Sequence, residues 1–95
     1  MATFLVLTRS ATTDQSEMDV YASKAGATMA GHAVTPLVAY GAQEILEGPA
    51  HEGMVILSFP DKAAAMSWYE SPAYTQAREH RIKGADYQVT LVEGL

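Results

Sequence analysis

Residues 59–81 read Phe59-Pro60-Asp61-Lys62-Ala63-Ala64-Ala65-Met66-Ser67-Trp68-Tyr69-Glu70-Ser71-Pro72-Ala73-Tyr74-Thr75-Gln76-Ala77-Arg78-Glu79-His80-Arg81, and this stretch decides the fold. Pro60-Asp61 halts an apolar run, and Asp61 stands where the N-cap of a short helix through Tyr69 would stand. Ala64, Ala65, Met66, Trp68 and Tyr69 cover about half of that helix's circumference, and the small alanines let it lie close to a sheet. Ser71-Pro72 then restarts the chain. A residue before proline avoids the helical region, while serine as cap and proline at the first helical position open a second helix, Pro72 to Lys83, ended by Gly84. On its wheel Tyr74, Ala77, Arg78, Arg81 and Ile82 share one side, with Gln76, Glu79, His80 and Lys83 on the other. The only Trp and two of the five Tyr residues thus meet two arginines in one stretch.

Upstream, Met54 to Phe59 is short and apolar on both faces except at Ser58, as is Thr3 to Thr8, so both read as strands with covered faces. Residues 9 to 13 form a loop. Asp14 with Glu17 has the spacing of a capping box, and the helix it opens extends to about Ala30, where Gly31 ends it. Met18, Tyr21, Ala22, Ala25 and Met29 fall on one arc of this helix. Tyr21 is the polar handle of that arc, and a core tyrosine of this kind is expected to bond a backbone carbonyl. Residues 33 to 47 read as an interrupted edge strand, because Pro36 cannot donate to a ladder and Gly41 suggests a bulge. Residues 48 to 53 are a reversal. Asp86 to Glu93 closes the chain as a strand with Tyr87, Val89 and Leu91 on one face. The order β-α-β-β-α-β matches an α+β, ferredoxin-like sandwich, with both helical elements on one face of an antiparallel sheet, in a single domain over residues 1–95.

Helices on one side leave the other sheet face open, yet both faces of each strand are apolar: Phe4 and Val6 against Leu5 and Leu7 in one, Val55 and Leu57 against Met54 and Ile56 in the other. A large apolar face normally marks an interface, so a homodimer through the sheet face is expected. The net charge of −5, with six Lys and Arg residues scattered along the chain, argues against a nucleic-acid backbone or an anionic membrane as partner. With no Cys the chain has neither disulfides nor a thiol nucleophile, which suits the cytoplasm. The N-terminal run is too short and lacks the basic start of a signal peptide.

No catalytic motif is present: no phosphate loop, no nucleophile elbow around Ser58, Ser67 or Ser71, and no metal-helix spacing among His32, His51 and His80. No cofactor or metal is expected. Two readings of Arg78 and Arg81 stand side by side. They either snorkel over the sheet edge and pair with Glu44, Glu47 or Glu93, or form an anion clamp with the hydroxyls of Tyr74 and Tyr21. His32, at a strand entrance, is either a surface or capping histidine or an acid or base. A ligand site would therefore comprise Tyr21, His32, Trp68, Tyr69, Tyr74, Arg78 and Arg81, with the aromatic rings as walls of a cleft between helices and sheet.

Phe59-Pro60-Asp61, Ala65, Trp68-Tyr69, Ser71-Pro72, Tyr74, Arg81 and the closing Val92-Glu93-Gly94, together with Tyr21 and Glu47-Gly48, resemble the domain of unknown function 1330 family, a branch of the dimeric α/β-barrel superfamily. The Gly48-Pro49-Ala50-His51 turn and the Gly31 to Gly41 segment depart from the commoner pattern. The resemblance implies a ferredoxin-like protomer whose sheet packs into a homodimeric barrel. It implies no established activity: the wider superfamily contains cofactor-independent monooxygenases, isomerases and haem enzymes beside proteins with no known chemistry, and no haem-ligating histidine carries over. The functions it leaves open are binding of a small anionic or aromatic molecule, a non-catalytic dimeric interaction module, and a cofactor-independent monooxygenase or isomerase.

Overall fold

Period-two alternation decides which side of each strand is buried, and the strand register makes those choices agree. A computed structural model describes residues 1–95. Its elements are β1 (Thr3–Thr12), α1 (Gln15–Ala25), a 3-10 turn (Gly26–Met29), β2 (Thr35–Ala39), β3 (Gly53–Phe59), α2 (Lys62–Tyr69), α3 (Pro72–Gly84) and β4 (Ala85–Glu93). The strands form one antiparallel sheet in the order β2-β3-β1-β4, the ferredoxin-like βαββαβ arrangement. Leu5 stands opposite Leu57 and Leu91, and Leu7 opposite Val55 and Val89. Cross-strand partners share a face, so these six side chains form the floor on which the helices lie.

The helices begin where side chains take up their free N–H groups. Asp14 accepts from the backbone of Ser16 at 3.0 Å and Glu17 at 3.4 Å, Asp61 from Ala64 at 2.8 Å, and Ser71 Oγ from Tyr74 at 3.2 Å. A cap of this kind contributes about 1 kcal/mol. The expected capping box forms only by half: Glu17 turns away from Asp14 and bonds His80 Nδ1 at 2.6 Å, tying α1 to α3. The Asp14 N–H donates to Gly84 O at 2.9 Å instead.

Several expected boundaries shift, each for a tertiary reason. β1 runs on to Thr12 because β4 starts directly after α3 and offers it a partner, across an irregularity between Arg9 and Ala11. α1 stops at Ala25 and tightens into the 3-10 turn, where Thr28 Oγ1 donates to Ala25 O at 2.6 Å and accepts from Trp68 Nε1 at 3.1 Å. Only Thr35–Ala39 of the expected 33–47 strand pairs with β3, with a register shift after Pro36. The following segment to Glu52 carries no secondary structure. On α1, Ala22 is exposed although the arc placed it inward, and on α3 Ile82 is 65% exposed.

The molecule measures 32 × 32 × 17 Å, a slab of two layers, one sheet and one helical layer. The core lies between them and centres on Trp68, Tyr74, Phe59, Met18 and Leu57. Trp68 stacks on Tyr74 with ring centroids 4.0 Å apart and lies 5.9 Å from Phe59. The opposite face carries Phe4, Val6, Val38, Met54 and Ile56, all half-buried, and Val92, exposed. β4 contributes less apolar surface to it than the other long strands, since its outward residues Gln88 and Thr90 are polar.

Gly84 is where α3 presses on α1: an added Cβ would lie 2.8 Å from Met18 Cγ and 3.0 Å from the Met18 backbone nitrogen. Gly84→Ala is expected to cost about 1–3 kcal/mol by overpacking. Gly26 has helical φ and nothing within 4 Å of its virtual Cβ, so Gly26→Ala should be neutral or stabilise by about 0.4–1 kcal/mol. Urea denaturation of the two variants checks the opposite signs.

Candidate functional site

Because β2 is short and α1 ends early, the helical layer does not close completely over the β2-β3 half of the sheet. The opening is a cavity of about 290 Å³. Leu7, Val55 and Leu57 form its floor, Ala25 and Met29 one wall, and Trp68 its inner end, with Tyr21 and Tyr40 as its hydroxyl-bearing members. No Asp, Glu, His, Lys or Ser side chain lines it.

Both tyrosines belong to hydrogen-bonded pairs. Tyr21 Oη and Tyr74 Oη are 2.9 Å apart, both residues buried, with their rings edge to face. Tyr40 Oη bonds Tyr87 Oη, and Arg9 Nε donates to Tyr87 Oη at 2.9 Å. The sheet register assembles the second group, since Arg9 stands between Gly53 and Tyr87 on neighbouring strands. Gly53 is required there: a Cβ would fall 2.6 Å from Cδ1 of the Tyr40 ring. Tyr40 itself has φ 56°, the left-handed region that a non-glycine residue adopts at some cost, and its N–H donates to Met54 O at 2.9 Å.

Arg81, from the last turn of α3, completes the cluster. It is 5% exposed, its guanidinium lies 4.9 Å from the centre of the Tyr87 ring, and its Nε has no hydrogen-bond partner. Arg9 lies 5.7 Å from that ring and 4.7 Å from the Tyr40 ring. Neither guanidinium pairs with a carboxylate; the one ion pair in the structure joins His80 to Glu17.

Of the residues singled out from sequence, Tyr21 and Trp68 line the cavity, while Tyr74 and Arg81 are buried behind it, Tyr74 bonded to the Tyr21 hydroxyl and Arg81 against the Tyr87 ring. Arg78 stacks on Tyr69 at 4.6 Å, and neither residue lines the cavity. The pairing of Arg78 and Arg81 with Glu44, Glu47 or Glu93 does not form. His32 lies apart, in a shallow open depression with Ser58, Phe59 and the N-terminal residues. Tyr21 bonds the Tyr74 hydroxyl rather than the expected carbonyl. Arg9, Tyr40 and Tyr87 join the cluster without any motif that marks them as site residues. Arg9 continues the inward phase of Leu5 and Leu7, and Tyr87 that of Val89 and Leu91, so that signal was present. Tyr40 carried only the hint of a following Gly41. No group of three or more His, Cys, Asp and Glu side chains converges anywhere.

Burial holds the hydroxyls of Tyr21, Tyr74 and Tyr87 protonated above the usual tyrosine range, and the neighbouring phenols add to this at Tyr21 and Tyr87. An unfolded tyrosine ionises near pH about 10. Below that pH folded and unfolded chains bind the same phenolic protons; above it only the unfolded chain loses them, so stability falls as pH rises. In an alkaline titration, tyrosinate absorbance from these residues should appear together with loss of the helical circular dichroism. Ionisation of all five tyrosines with the helices intact would contradict this.

Solved structures share the whole arrangement of strands and helices. A protein of unknown function from Rhodopseudomonas palustris is 20% identical, with a TM-score of 0.75 over 99% of this chain and 82% of its own. A dimeric ferredoxin-like protein of unknown function from Jannaschia sp. is 15% identical, with a TM-score of 0.75 over 99% of this chain and 100% of its own. The cofactor-independent oxygenase SnoaB from Streptomyces nogalater is 14% identical, with a TM-score of 0.61 over 98% of this chain and 91% of its own. At these identities the likeness is one of fold. No curated protein matches the chain. The family described as Domain of unknown function (DUF1330) matches residues 3–95, nearly the entire sequence whose Trp68-Tyr69, Ser71-Pro72, Tyr74 and Arg81 build the core and the polar cluster, and the chain belongs to that family.

Proposed function

We propose that this protein is a cytoplasmic homodimer that binds a small aromatic or anionic molecule in the cleft between its helices and sheet. The observation that carries the reading is the cavity of about 290 Å³, an apolar space with aromatic walls and a few hydroxyls at one end, the composition of a small-molecule site. Its lining holds no carboxylate or imidazole to serve as general base. That composition favours binding over the isomerase or monooxygenase alternative, to which the oxygenase relative adds a shared fold. A cavity of this kind also favours a ligand over a role confined to protein interaction.

Dimerisation is supported by the half-buried Phe4, Val6, Val38, Met54 and Ile56 on the open side of a slab 17 Å thick, and by the likeness to proteins described as dimeric. Two such sheets packed face to face would give the α/β barrel, and a standard interface buries ~800 Å² per partner.

Two measurements test these readings. A neutral aromatic compound, 2-naphthol, should bind the wild-type protein in calorimetry, and Val55→Phe, which fills the cavity floor, should abolish that binding while the fold persists; equal binding by both proteins would place the ligand elsewhere. Light scattering should return about twice the 10.2 kDa chain mass, and Ile56→Asp, which puts a charge on the open face, should dissociate or unfold the protein. A soluble wild-type monomer would remove the dimer from the proposal.

A further inference from the structure

The two cavity-lining phenols, Tyr21 and Tyr40, and the groups packed behind them hold more donors than acceptors. Tyr21 and Tyr74 carry two hydroxyl protons but share one hydrogen bond, so one proton has no acceptor. In the more exposed Tyr40–Tyr87 pair one proton likewise has no acceptor within the protein, since Arg9 Nε already donates into the Tyr87 oxygen. Arg81 Nε is a further donor without a partner, in a side chain 5% exposed. Buried polar groups are normally satisfied, and a buried cation normally has a counter-charge. Neither condition is met at the buried Tyr21–Tyr74 pair and Arg81.

The carboxylates of the chain do not supply what is missing. Glu52, whose charge interacts with that of Arg9, accepts from the Thr12 backbone at 3.0 Å and from Thr12 Oγ1 at 2.5 Å. Glu17 is engaged with His80. In a protein of net charge −5, two guanidinium groups stand around one tyrosine ring, neither of them ion-paired and Arg81 with no acid near it, and they form a local positive site.

We propose that this cluster is a carboxylate site. The cavity's ligand is a flat monoanion whose apolar body lies on the Leu7, Val55 and Leu57 floor against Trp68. Its carboxylate oxygens take the unclaimed hydroxyl protons of the Tyr21 and Tyr40 pairs, with Arg81 and Arg9 as counter-charges. The inference rests on the cavity being the ligand site and adds the ligand's charge and orientation. The small number of free donors supports a carboxylate over a phosphate, since the unclaimed hydroxyl protons of the two tyrosine pairs match two oxygens, and the further oxygens of a phosphate would meet an apolar lining. A buried charge-assisted hydrogen bond is also worth more than a neutral one, so the site should discriminate strongly between an acid and its uncharged analogue.

The experiment compares 2-naphthoate with 2-naphthamide, which has nearly the same shape and no charge, by calorimetry on the wild-type protein, Arg81→Met and Arg9→Met. The carboxylate should bind the wild-type protein roughly tenfold or more tightly than the amide. Arg81→Met should erase most of that preference by lowering carboxylate affinity more than amide affinity, because the amide keeps one acceptor oxygen for the tyrosine hydroxyls but brings no charge for the guanidinium to meet, and Arg9→Met should reduce the preference less. Equal affinity of wild-type protein for acid and amide would overturn the carboxylate site while leaving the cavity a binding site. Failure of both compounds to bind would overturn the cavity reading and this inference with it. The wild-type comparison decides the matter even if Arg81→Met does not fold.

Discussion

The Trp68 side chain ties three elements of the fold to one another. One indole stacks on Tyr74 of α3, faces Phe59 of β3 and donates its N–H to Thr28 in the 3-10 turn. Each contact fixes a different element against the others. The indole proton is the decisive part, because an unpaired buried N–H is costly and Thr28 can reach it only if α1 stops early and winds tighter. That tightening ends the helical cover short of the β2-β3 edge and leaves the cavity beside Trp68. The same residue therefore completes the core and forms the inner end of the proposed binding site.

The polar cluster shows local rules giving way to another demand. Tyr40 holds a left-handed backbone, Gly53 gives up its side chain to let that ring lie across β3, and Arg81 is buried without a carboxylate. None of these choices favours stability when taken singly. Together they place four phenols and two guanidinium groups within one region between sheet and helices, each ring or cation supporting the next through hydrogen bonds or cation-π contacts. Such local costs concentrate where a protein binds something.

The two sides of the sheet differ in a related way. The inner face is closed by Leu5, Leu7, Leu57 and Phe59, nearly inaccessible beneath the helices. The outer face repeats the apolar character at Phe4, Val6, Met54 and Ile56 without any cover from the chain itself. Its β4 margin is polar at Gln88 and Thr90, so the apolar area is concentrated on β1 and β3, in the middle of the sheet. That pattern, apolar at its centre and polar at one margin, is what the proposed pairing of two sheets requires.

The order of elements, the ferredoxin-like architecture and the helix starts are legible in the amino-acid sequence. These depend on short-range chemistry: alternation along strands, Asp14, Asp61 and Ser71 as caps, and Pro72 at a first helical position. The sequence also marked Tyr21, Trp68, Tyr74 and Arg81 as inward-facing. Tertiary structure alone decided where α1 and β2 end, because those limits are set by Thr28 meeting Trp68 and by how far β3 offers a partner. It alone separated Arg78, stacked outside on Tyr69, from Arg81, buried inside, although the two sit on the same side of one helical wheel. It alone brought Arg9, Tyr40 and Tyr87 together, since that grouping depends on strand register across β3, β1 and β4 and on a left-handed residue at the end of β2. Periodicity reports which way a side chain faces; what it meets there is set by elements distant in sequence, and hydrogen-bond partners such as Tyr21 and Tyr74 or Arg9 and Tyr87 follow from that packing.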